Sequence, residues 1–206
     1  MNKVEKADKF WKNFLTIKDE LLDIDSLDDR KAEELLLVLD KYLKEFSAGV
    51  DFELSDLTPQ GRDINFSALG DEDYFEDVIT LVENAPVLDF FTVSAFKKAE
   101  GKNAEIEYEG IRLASKDMFF LPLESEEVTN KIGLTVAAKG LTKNDNTLAA
   151  CYLLCEKMIG EYNAATLIDY FDIDNLPSDY GKQGFLPLDY LPDFTQWKIE
   201  KIETSK

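Results

Sequence analysis

The chain has 206 residues, 42 acids against 23 bases, no histidine, and 45% hydrophobic residues, which suits one packed domain. A formal net charge of −19 argues against phosphate backbones and anionic membrane surfaces, both of which are bound through Lys and Arg clusters. The missing histidines remove every His-dependent triad and mixed Cys/His metal site.

Met1 to Lys18 alternates charges with aromatics and lacks the continuous apolar stretch of a secretory signal. The apolar run Leu35 to Leu39 falls far short of the roughly 18 residues of a membrane span. Both observations predict a cytoplasmic protein. Residues 8–23 read as an amphipathic helix, with Phe10, Phe14, Ile17 and Leu21 on one stripe. Ser26 and Asp29 resemble a capping box before a second helix, Asp29 to Phe46, whose inward residues are Ala32, Leu35, Leu36, Leu39, Leu43 and Phe46. The short connection predicts a helical hairpin.

From residue 50 the hydrophobic period changes to two. Val50 to Leu54 and Asp63 to Leu69 read as strands around the turn Thr58-Pro59-Gln60-Gly61. A helix follows from Glu72 to Asn84, capped by Asp71 and stopped before Pro86. Residues 88–96 form the next strand. The connection 97–118 holds a strand at 104–109 and a helical turn at 115–118. The order then repeats. There is a strand at 119–123, a turn at 124–130 and a strand at 131–138. A helix runs from Asn144 or Asp145 to Ile159 and stops at Gly160, and a closing strand occupies 164–171. Residues 175–206 are too apolar for a free tail, although Lys198 to Lys206 read as a fraying end.

These elements predict one α+β domain. Its parts are an N-terminal helical hairpin (1–48), a first ββαβ unit (49–96), a connection (97–118), a second ββαβ unit (119–174) and a packed C-terminal extension (175–206). The two units are expected to form a mostly antiparallel sheet with helices on one side, an internal repeat of element order.

Nucleotide-binding glycine motifs and the nucleophile elbow are absent from the sequence, so no cofactor is expected. Cys151 and Cys155 share one helix face and read as two buried thiols of a reducing compartment. The acidic runs Asp23 to Asp29 and Asp172 to Asn175 lack the Gly and Glu of a calcium loop, so no metal is assigned to them. Glu161 and Tyr162 follow a helix end and are the candidate catalytic pair. Residues 49–96 hold eleven acids and a single base, Arg62. On the helix from 72 to 84, Glu72, Glu76 and Glu83 fall within one narrow arc, with Asp73 and Asp77 beside them. Tyr74, Phe75, Val78, Ile79 and Val82 occupy the opposite, core-facing arc. That arc of carboxylates is the candidate partner-binding face.

The run Tyr74 to Pro86 followed by Phe91 to Phe96 resembles a recurring pattern in uncharacterised bacterial cytoplasmic proteins. So does Tyr152 to Leu154, through Gly160-Glu161-Tyr162, to Leu186-Pro187-Leu188 and Leu191-Pro192. The resemblance covers about residues 50–195. Where that pattern often has Trp after Ala-Pro, this chain has Phe90 or Phe91. No activity attaches to the pattern, so none is implied. Three readings of function follow. The first is a non-enzymatic binding or regulatory protein with a basic protein partner, for which an immunity protein or inhibitor of a basic toxin or nuclease fits the charge. The second is a carboxylate-dependent hydrolase with a cleft near Glu161. The third is a structural domain of a larger assembly.

Overall fold

A computed structural model describes residues 1–123 and 130–204, and the predicted turn at 124–130 falls almost wholly outside them. The fold is α+β, with seven α-helices among the described residues, a helical N-terminus and mixed sheets. The chain gathers into two compact units, Met1–Lys97 and Lys98–Lys206.

The first unit opens with α1 (Lys3–Leu22) and α2 (Asp29–Phe46). Asn2 and Glu5 close a reciprocal capping box on α1, which starts five residues earlier than the periodicity suggests. Asp28 caps α2 by accepting from Lys31 N, a role the sequence reading gave to Ser26. Strand β1 (Asp51–Leu54) pairs antiparallel with β2 (Arg62–Ser67). A three-residue 3-10 turn (Glu72–Tyr74) leads into α3 (Phe75–Glu83), which returns the chain to β3 (Phe91–Ala95), parallel to β2. A helical crossover places its strands side by side in parallel, which accounts for the order β1-β2-β3.

Aromatic rings fill this core. Phe10 and Trp11 of α1 meet Phe66 of β2 edge-to-face at 5.6 and 5.8 Å, and Phe14 meets Phe91 at 5.5 Å. The buried Trp11 indole donates to Leu81 O at 2.8 Å and thereby satisfies a carbonyl near the end of α3. Arg62 is 3% exposed. Its Nη2 donates to Asp25 Oδ2 (2.7 Å) and Leu22 O (3.2 Å), and its Nη1 donates to Ser55 O. Its backbone N–H donates to Phe90 O. The neighbouring Gly61 has φ +116°, and a Cβ there would collide with the Phe90 backbone, so only glycine fits.

The second unit carries β4 (Glu105–Tyr108) and β5 (Ile111–Ala114), joined by Glu109 and Gly110, both with positive φ. Two consecutive positive-φ residues make the tight turn suited to a two-residue hairpin. The larger sheet contains β6 (Phe119–Leu123) and β7 (Ile132–Ala138), followed by α4 (Asp145–Ile159) and α5 (Glu161–Leu167). It continues with β8 (Ile168–Asn175), the single turn α6 (Tyr180–Gln183), β9 (Leu186–Pro187) and α7 (Leu191–Thr204). Its order is β8-β7-β6-β9, antiparallel except where β7 meets β8. The core packs Phe120, Leu134, Val136 and Ile173 against Leu154, Met158 and Leu191. Lys198 is buried and α7 continues to Thr204. Trp197 is 46% exposed, with Lys201 Nζ 4.9 Å from its ring centroid.

Two expectations are corrected. Among the described residues the strands form three sheets, each within one unit, where one sheet surface was expected. The connection has a hairpin of its own, and each crossover completes its ladder locally. The predicted strand 164–171 begins only at Ile168. The Ala164-Ala165 pair favours helix, and α5 runs to Leu167.

Two measurements test this packing. Arg62→Ala should cost about 3 kcal/mol in denaturant unfolding, because two carbonyls lose their donor inside the unit. Arg62→Lys should recover only part, since an ammonium lacks the planar fork. Burial pushes the Cys151 thiol up to about 12 and moves Cys155 in the same direction. Both thiols should therefore resist iodoacetamide at pH 8 in the folded protein and react only after unfolding, as mass spectrometry would read directly.

Candidate functional site

The carboxylates of residues 71–83 occupy two local structures. Asp71 accepts from Asp73 N at 3.1 Å and opens the 3-10 turn that holds Glu72 and Asp73. Glu76 and Asp77 stand in the first turn of α3, where the positive end of the helix dipole favours them. Glu83 is its last residue. Because a 3-10 turn advances by three residues, the inward phase of the helix differs from a continuous α-helical reading. Phe75, Val78 and Leu81 are buried, Tyr74 and Val82 are half-buried, and Ile79 is exposed.

Lys3 of α1 reaches this helix. Its Nζ lies 2.7 Å from Glu76 Oε2 and 2.8 Å from Asp77 Oδ1. The Asp77 side chain is only 16% exposed, and this charge contact is the partner its Oδ1 finds. Asp77, then Glu76, hold the Lys3 ammonium above its ordinary range. The predicted arc is thus divided. Glu72, Asp73, Glu76 and Glu83 are exposed, while Asp77 turns toward α1.

The other candidates lie elsewhere. Glu161 is the first residue of α5, directly after Gly160 (φ 85°), and its exposure is 0%. Tyr162 is 47% exposed. The chain passes from Gly160 into a helix here, where the sequence predicted entry into a strand. A groove of about 450 Å³ lies over the β4–β5 hairpin, lined by residues of both strands with Lys116 and Asp117. It is crossed by ion pairs from Arg112 to Glu107 (2.9 Å) and Lys116 to Glu105 (3.6 Å). Neither Glu161 nor the acids of α3 line it. The sequence reading missed β5 and therefore this groove. The Glu109-Gly110 step followed by the alternation Ile111-Arg112-Leu113 carried the signal. Ser115 is buried, and its Oγ donates to Asp189 Oδ1 at 2.6 Å, so the hydroxyl is tied into a structural knot.

Both acidic runs hold structure together. In the first, Asp25 meets Arg62 and Asp28 caps α2. In the second, Asp172 Oδ1 accepts from Ile173 N at 2.8 Å and Asp174 Oδ1 from Asn175 N at 2.7 Å. Lys143 Nζ also pairs with Asp172, 2.5 Å from its Oδ1. Among the described residues, no group of three or more His, Cys, Asp or Glu could hold a metal ion, and no helix is long and apolar enough to cross a membrane.

No family model, curated protein or solved structure matches the chain.

The Lys143 ion pair and the Ile173 N–H hold the Asp172 carboxyl below its ordinary 3.8. A depressed carboxylate contributes stability above its unfolded pKa and loses it as pH falls through the folded one. An NMR titration should place Asp172 below 3.8, and Lys143→Ala should move it upward. Acid unfolding of that variant should draw less on this residue.

Proposed function

We propose that this chain is a non-enzymatic acidic protein that binds or regulates a basic protein partner, in the manner of an immunity protein or inhibitor. The observation that carries the reading is the burial of Arg62, the single base of residues 49–96. Nine of the eleven acids in that segment are exposed, while its only cation lies inside. A surface of this kind accelerates encounter with a basic protein and opposes other acidic ones. The reading takes residues 1–48 as a helical hairpin and the stretches 49–96 and 119–174 as two versions of one ββαβ scaffold, working in the bacterial cytoplasm.

The face to test is Glu72, Asp73 and Glu83. Glu76 and Asp77 are poor choices because they pair with Lys3 inside the unit. The triple variant Glu72→Lys, Asp73→Lys, Glu83→Lys should keep the wild-type circular dichroism spectrum. In affinity capture from a lysate of the source organism, wild-type protein should retain basic proteins that elute by about 0.5 M salt, where screening removes long-range attraction. The variant should lose them already at low salt. Retention of the same proteins by the folded variant would remove this face from the reading.

A further inference from the structure

The outer strands of a sheet aim alternate N–H and C=O groups away from it, and proteins normally guard those groups. In the second unit, Leu176 N donates to Ala138 O, so Phe171, Ile173 and Asn175 of β8 aim outward. The outward amides of Ile173 and Asn175 are taken by the preceding aspartates. In the first unit, Ser55 N donates to Asp63 O, so Phe52 of β1 aims outward, and its amide closes on Asp51 Oδ1 at 2.8 Å. Strand β9 is two residues long and contains Pro187. The β4–β5 ribbon is short and carries Glu105, Glu107 and Arg112.

Strand β3 has none of these guards. Arg62 N donates to Phe90 O and Phe96 N to Phe66 O, which fixes the alternation. Phe91, Val93 and Ala95 therefore aim both backbone groups away from β2. The strand reads Phe-Thr-Val-Ser-Ala, with no charge, no proline and no aspartate before an outward amide. Among the described residues, no acceptor meets the amides of Val93 and Ala95.

We propose that the outer edge of β3 takes an extended, basic segment of a protein partner as an additional strand. The ladder supplies the backbone groups, and the two faces of the sheet set the side-chain pattern. On one face, exposed Thr92 stands in register with exposed Asp63, so alternate positions of the segment should be Lys or Arg. On the other face, Val93 and Ala95 are half-buried beside buried Ile64 and Phe66, so the intervening positions should be apolar. A second copy of this chain suits the edge less well, because each copy brings a charge of −19. The choice of a basic segment rests on the basic-partner reading above.

The probe is the peptide acetyl-Lys-Val-Lys-Val-Lys-Val-Lys-amide, compared with its glutamate counterpart, on full-length protein followed by NMR hydrogen exchange. The lysine peptide should slow exchange at Val93 and Ala95 about tenfold or more, and the glutamate peptide should leave it unchanged. Val93→Pro, which deletes an outward amide, should abolish the protection. Thr92→Lys, on an exposed position, provides the same test should the proline variant fail to fold. Shifts confined to Glu72, Asp73 and Glu83 would overturn the β3 edge and leave the acidic-face reading standing. Equal protection by the glutamate peptide would overturn the basic occupant and weaken that reading with it. A dimer of the free protein that Thr92→Lys dissolves would make a second copy the occupant and overturn the proposal.

Discussion

The first unit depends on how Arg62 is held. A guanidinium with 3% exposure needs acceptors inside the protein, and here those of its two Nη atoms come from three parts of the chain. They are the last turn of α1, the turn that follows it, and the residue after β1. The same residue's backbone begins the β2–β3 ladder. One side chain thus fixes where the helical segment ends relative to the sheet. It also has an electrostatic effect, because placing the cation inside leaves the surrounding surface acidic.

Much of this was legible from residue pattern. The bounds of α2 and α4 follow from capping residues and from Gly160, and β1 and β2 follow from period-two alternation. The phase of α3 was not legible, because nothing in Glu72-Asp73-Tyr74 distinguishes a 3-10 turn from the first turn of an α-helix. The division into three sheets was not legible either, since strand partners are set by crossovers and register, which local periodicity does not encode. Of the candidate site, the composition of the acidic face was readable. The pairing of Lys3 with Asp77 joins residues 74 positions apart and leaves no local trace. Arg62 stood out as the lone base of its segment, but its burial shows only in three dimensions.

The two larger sheets share a local plan. Each has a central strand, β2 or β7, flanked by an antiparallel neighbour on one side and a parallel one reached through helix on the other. They differ in how the parallel outer strand is finished. In β8 two aspartates fold back on outward amides, whereas β3 is uncharged. Several of this protein's acids therefore have a backbone role, capping helices or closing sheet edges. Net charge alone overstates how many remain for recognition.

The chain has two tryptophans, and they fall in different units and in opposite surroundings. Trp11 is enclosed by phenylalanines and bonded to a carbonyl, while Trp197 is half in solvent under a lysine ammonium. The first should emit toward the blue and the second toward the red. Each unit therefore carries its own intrinsic fluorophore, and replacing either indole with phenylalanine would leave a single-wavelength reporter of how the other unit melts.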